Sequence, residues 1–178
     1  KQDLFPVGQQ IRMAEVIRMV NEIVDGNAVL VTDVGQHQMV ASRYFNFKYP
    51  NTNITSGGLG TMGFALPAAM GAKVGEKNRH VVAVIGDGGF QMTIQELGTI
   101  FQYQIPVKII ILNNDFLGMV RQWQEFFYEN RYSHSYMESL PDFVKLTEAS
   151  GHVGIRIERV EDLRPKLEEA FALKDRLV

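Results

Sequence analysis

Val81-Val82-Ala83-Val84-Ile85-Gly86-Asp87-Gly88-Gly89 is an unbroken apolar run that ends in a carboxylate set among glycines. Aliphatic residues without polar alternation predict a strand buried on both faces. The three glycines predict a turn that permits positive φ and lets backbone N–H groups approach an oxyanion. Thr93 and Glu96 have capping-box spacing, which predicts a helix over 93–103 starting just past that turn. The next apolar run, 107–112, ends in Asn113-Asn114 and is followed by a helical pattern over 116–127.

Outward from this core the alternation continues. Helices are predicted over 11–24, 36–44, 62–74, 141–150 and 161–173, and strands over 28–32 and 153–157. Pro67 falls within the 62–74 stretch, where it either kinks the helix or fixes its first turn. Strands that are apolar on both faces and separated by helices predict an α/β fold, a doubly wound and mainly parallel sheet flanked by helices. Ligands of such sheets bind beyond the carboxyl ends of the strands, where the informative motifs fall.

The 178 residues are 46% hydrophobic, carry a net charge of −2 and contain no cysteine. That balance predicts one globular domain over 1–178. It excludes disulfides and thiolate chemistry and argues against nucleic acid or an anionic membrane as partner. The run 107–112 is far too short to cross a bilayer. Lys1 to Pro6 has no signal-peptide layout, and a chain opening on Lys and closing at Leu177-Val178, where another strand can begin, reads as a fragment.

Asp87 offers a hard carboxylate and Asn114 an amide oxygen at neighbouring strand ends, a donor set suited to magnesium with a diphosphate, with the Phe116 carbonyl as a third protein oxygen. Each motif also has a plain reading, as a strand-to-helix turn or a helix cap. Their joint placement favours the metal-diphosphate reading. Gln36 and His37, past the end of the 28–32 strand, have side chains able to donate to a terminal phosphate; the plain reading has His37 and Gln38 facing solvent. Gly58-Leu59-Gly60-Thr61-Met62-Gly63 fits the pattern G-x-G-x-x-G, yet no full strand precedes it and no ribose-binding acid lies about 20 residues on. A loop that brings backbone and Met62 against a flat ring is the better account.

These residues resemble a family. Gly86-Asp87-Gly88 with Asn113-Asn114 looks like the thiamine-diphosphate motif of many enzymes. Val34 to Met39, Thr55 to Gly63 and Gly118 to Gln124 resemble, more specifically, the large catalytic subunit of acetolactate synthase (acetohydroxyacid synthase), over about Gln9 to Arg159. The resemblance implies the last domain of a three-domain chain. It implies that Asp87, Asn114 and the Phe116 carbonyl hold Mg2+, and that Gly35, Gln36, His37, Gly86, Gly88 and Gly89 surround the diphosphate. Gly60 and Met62 would contact the aminopyrimidine, Met62 as the wedge that bends the cofactor. Met119 and Trp123 would line the substrate pocket, Trp123 selecting the acceptor.

The implied reaction decarboxylates pyruvate and condenses the remainder with a second pyruvate or 2-oxobutyrate, in branched-chain amino-acid biosynthesis. The family also implies FAD, held mainly by another domain, a homodimer or tetramer with a possible regulatory small subunit, and a cytoplasmic location if bacterial. Its cofactor-activating glutamate comes from a domain outside these 178 residues, so the isolated chain is expected to be inactive. Alternatives are another thiamine-dependent 2-oxo acid decarboxylase or oxidoreductase, and a non-catalytic, flavodoxin-like magnesium-binding module.

Overall fold

The structure is a computed structural model that describes residues 10–178; the Lys1 to Pro6 segment considered above lies outside the described residues. In chain order the elements are α1 (Met13–Ile23), β1 (Ala28–Thr32), α2 (Gln36–Tyr44), β2 (Asn53–Ile54), a 3-10 turn (Gly57–Leu59), α3 (Ala65–Gly75), β3 (His80–Gly86), α4 (Asp87–Met92), α5 (Glu96–Tyr103), β4 (Lys108–Leu112), α6 (Gly118–Phe127), α7 (Phe143–Ala149) and α8 (Val160–Ala172). The strands form one parallel sheet in the order β2-β1-β3-β4.

Side-chain alternation splits each central strand between two cores. Leu30, Val82 and Val84 face α1, α2 and α8, packing with Val20, Ala41 and Leu163. Val29, Val31, Val81, Ala83 and Ile85 face the opposite layer and pack with Leu66, Phe90 and Ile100. The doubly wound expectation is therefore met: β1 and β3 are covered on both faces, which is why they read as continuous apolar runs. Winding reverses between β1 and β3, because β1 connects through α2 to β2 on one side while β3 lies on its other side. The loops leaving these two strands therefore diverge and open a crevice at their carboxyl ends.

Several local expectations are corrected. A helix begins at Asp87 directly after β3, so Gly88 and Gly89 lie in its first turn and none of Gly86, Gly88 and Gly89 has positive φ. Close packing, considered below, is what requires them. The capping box does not form: the Thr93 hydroxyl donates to the Gly63 carbonyl, and α5 starts at Glu96 without a side-chain cap. The helix expected over 62–74 begins at Ala65, which leaves Met62 and Gly63 in a loop and puts Pro67 in the first turn, where its missing N–H costs nothing. Phe116 precedes α6 and bridges Tyr136 antiparallel.

The strand expected over 153–157 is not formed. Val178 N donates to Val107 O and Ile109 N to Val178 O, so Val178 occupies the start of the β4 edge; Val153 N donates to Leu177 O, and the rest of 153–157 faces β4 across a groove of about 770 Å3. Lys108 sets up this edge. Its buried ammonium donates to the carbonyls of Leu173 and Arg176, beyond the last turn of α8.

Burial lowers the Lys108 pKa to about 8. Lysines of the unfolded chain titrate near 10.5, so between those values the unfolded state binds the extra proton and stability rises with pH. Lys108→Ala is expected to destabilise the fold by about 2–4 kcal/mol, leaving two carbonyls unpaired and a cavity. It should also flatten the rise in melting temperature between pH 8 and 10, which a thermal unfolding series reads directly.

Candidate functional site

Three loops at the carboxyl ends of β1, β3 and β4 converge on one small cleft. It is lined by Val34 to His37, Met62, Gly86 to Gly89, Asn114 and Phe116 to Gly118, with Met13 and Leu112. Asp87 is the hinge of this arrangement and only 2% exposed. Its Oδ2 accepts from Asn114 N at 3.0 Å and Asp115 N at 2.8 Å, and its Oδ1 from Gly88 N at 2.8 Å. Burial raises its pKa, and these three backbone donors pull in the opposite direction. A buried carboxylate held at that cost, with a lone pair on Oδ1 still free, is a good ligand for a hard cation.

The loop after β4 is braced on both sides. Asn114 Oδ1 accepts from Phe116 N, Asp115 adopts φ +61°, and Leu117 N and Met137 N pair with Ser135 O and Asp115 O. The Arg121 guanidinium covers the Phe116 ring at 4.1 Å. Gly88 lets this loop close on α4: a Cβ there would meet Leu117 Cδ2 at 2.9 Å. Gly118 does the same for the loop after β1, since a Cβ would lie 2.5 Å from Gln36 Oε1.

His37 is buried between Gly35 and Gly86, whose missing side chains make room for its ring. Desolvation lowers its pKa to about 4, against the opposing pull of Asp33, so the imidazole is neutral at pH 7. Its Nε2 is buried without a hydrogen-bond partner. An orphaned polar atom in a cleft is what a bound ligand would satisfy.

Asp33, at the end of β1, is the residue that sequence reasoning passed over. Fully buried, it accepts from Gly63 N and Ala65 N, each at 3.1 Å, and lies against Gly89. The available signal was its position: an acid directly after a strand that is buried throughout.

Gly35, Gln36, His37, Met62, Gly86 to Gly89, Asn114 and Phe116 are thus brought together. Gly60, Met119 and Trp123 lie outside the cleft lining. Gly60 ends the 3-10 turn in the left-handed region at φ +58°. Trp123 is 59% exposed on α6, beside Phe127 at 5.3 Å, which excludes a role in the core of this chain. His80 packs edge-on against Phe171, His152 bonds Leu97 O, and His134 is exposed in a loop, all outside the cleft.

Among the described residues there is no cluster of three or more His, Cys, Asp or Glu able to hold a metal. One carboxylate with neutral oxygens suits a cation that arrives with phosphate. The donors in the cleft fit magnesium and a diphosphate together better than a bare metal ion. No helix among the described residues is long and apolar enough to cross a membrane.

Comparison with known proteins points the same way. The chain is 52% identical over 168 residues to the acetolactate synthase large subunit of Haemophilus influenzae, covering 94% of this chain and 29% of that protein. It is also 52% identical over 163 residues to the acetolactate synthase isozyme 3 large subunit of Escherichia coli, covering 92% of this chain and 28% of that one. It therefore spans less than a third of these relatives. The fold resembles the thiamine diphosphate-dependent 4-hydroxybenzoylformate decarboxylase of Rhodococcus jostii RHA1, with a TM-score of 0.88 at 27% identity, over 97% of this chain and 32% of that one. Residues 33–178, from the acid that closes β1 to the residue that pairs with β4, match the family described as thiamine pyrophosphate enzyme, C-terminal TPP binding domain, and the chain belongs to that family.

Proposed function

We propose that this chain is the diphosphate-anchoring domain of an acetolactate synthase large subunit, one part of a three-domain protein. The observation that carries the reading is the convergence of Asp87, Asn114 and the 114–118 loop with Gly35 to His37 at the crevice between β1 and β3. Asp87, the Asn114 side-chain oxygen and the Phe116 carbonyl would hold Mg2+. Gly86 and the first turn of α4 at Gly88 and Gly89 would border the diphosphate, which Gln36 and neutral His37 meet as donors. Gly60 and Met62 would contact the aminopyrimidine, with Met62 setting the bend of the cofactor. When bound, thiamine diphosphate supplies the nucleophilic carbon and the electron sink for decarboxylation.

Met119 and Trp123, outside the anchoring cleft, belong to the side that receives substrate, with Trp123 discriminating pyruvate from 2-oxobutyrate as acceptor. Its exposure supports a place on a surface that other parts of the enzyme complete. The parent enzyme works as a homodimer or tetramer, with FAD held mainly by another domain, the activating glutamate in another domain and a regulatory small subunit. A thiamine-dependent decarboxylase is the second reading, favoured by the Rhodococcus likeness, but 52% identity to acetolactate synthases outweighs 27% to a decarboxylase.

Calorimetric titration of the isolated chain with thiamine diphosphate is expected to show weak binding that requires Mg2+. The isolated chain is expected to form no acetolactate from pyruvate. Binding that ignores the metal would refute the assignment of Asp87 and Asn114. Turnover by the isolated chain would refute the division of labour between domains.

A further inference from the structure

Gly63, the residue after Met62, is held from both sides. Its N–H donates to Asp33 Oδ2 at 3.1 Å, and its carbonyl accepts from the Thr93 hydroxyl at 3.1 Å. Ala65 N, two residues on, donates to Asp33 Oδ1 at 3.1 Å. Gly63 itself is left-handed at φ +80° and packs against Met92 and Thr93, so the backbone leading out of Met62 has little freedom.

Asp33 is also tied to the other end of the cleft. Its backbone N–H donates to Val84 O in β3, and its carboxylate fills the space where Gly89 lacks a side chain. One fully buried carboxylate thus spans the start of α4, beside Asp87, and the loop that carries Met62.

We propose that Asp33 is a positioning residue, whose carboxylate sets the place of Met62 relative to the diphosphate anchor at Asp87 to Gly89. It touches neither the metal nor the diphosphate. Its effect passes through the backbone of Gly63 and Ala65. The inference rests on the thiamine-diphosphate reading and deepens it: the two ends of the cofactor would be registered to one another by a residue that contacts neither. Replacing the carboxylate by an amide keeps its shape and leaves one of the two N–H groups without an acceptor, which frees the Met62 loop while α4 keeps its own backbone bonds.

The test uses the full-length enzyme that contains this chain, as wild type, Asp33→Asn and Thr93→Val. Two quantities are read: the dissociation constant of thiamine diphosphate with Mg2+, and the rate at which the thiazolium C2 proton of the bound cofactor exchanges with deuterium. Asp33→Asn is expected to slow exchange at least tenfold, roughly what a sub-ångström misplacement of reacting groups produces. Its dissociation constant should change less than about threefold. Thr93→Val, which loosens the same residue from the other side, should shift exchange in the same direction by less, and it decides the matter if Asp33→Asn does not fold.

Unchanged exchange in the folded variants overturns the proposal. So does a dissociation constant that rises as far as exchange falls, which is the mark of a purely structural role. Failure of the wild-type enzyme to bind thiamine diphosphate with Mg2+ is a different result: it overturns the cofactor reading, and the proposal with it.

Discussion

Asp87→Asn in the full-length enzyme is expected to raise the dissociation constant for thiamine diphosphate with Mg2+ more than about 100-fold, equivalent to about 2.7 kcal/mol. Among the described residues that line the cleft, Asp87 is the one acid. The substitution removes the negative charge that a hard divalent cation prefers, whereas Asn114 and a backbone carbonyl offer only dipoles. Stability without cofactor should change far less. Burial already raises the carboxylate pKa, so an uncharged amide escapes that penalty while losing at most part of the bonding to Gly88, Asn114 and Asp115. Calorimetry with and without Mg2+, beside a cofactor-free melting curve, separates the two effects. Wild-type affinity in the Asn variant would place the metal elsewhere.

Gly89→Ala is expected to destabilise the domain by about 3 kcal/mol or more, and Gly98→Ala to stabilise it by about 0.5–1 kcal/mol. Both glycines are helical, in α4 and α5. On propensity alone both substitutions should help. They differ in what surrounds them. A Cβ at Gly98 meets nothing within 4 Å, whereas one at Gly89 overlaps Asp33 Oδ2 and lies 3.0 Å from Asp33 Cγ. Asp33 cannot swing away cheaply, because both its oxygens are engaged by Gly63 N and Ala65 N. Moving it would strand two buried N–H groups. Denaturant midpoints of the two variants should shift in opposite directions, and a neutral Gly89→Ala would show that the Asp33 contact is soft.

The chain made its fold class legible because β1 and β3 are covered by helices on both faces. Their aliphatic runs needed no alternation to be read as strands. Asp87 and Asn114 were legible for a related reason: in such sheets a polar residue at a strand's carboxyl end has a crevice to face. The strand expected over 153–157 illustrates the limit. Val153 to Ile157 has the composition of a strand, but pairing depends on a neighbour's backbone, and the β4 edge is met by Val178. Thr93 and Glu96 have the spacing of a capping box, yet the Thr93 hydroxyl finds the Gly63 carbonyl, 30 residues away in the chain.

Sequence alone therefore determined the parallel architecture, the family resemblance and the identity of the acid and amide at adjacent strand ends, since each is written in local composition and spacing. Tertiary structure decided why the glycines are where they are, and what Asp33 holds. At Gly86, Gly88 and Gly89 the requirement is not backbone freedom but room, for His37, for Leu117 and for the carboxylate of Asp33. Such room exists only once distant segments have packed together, and close packing between segments leaves no periodic trace along a chain.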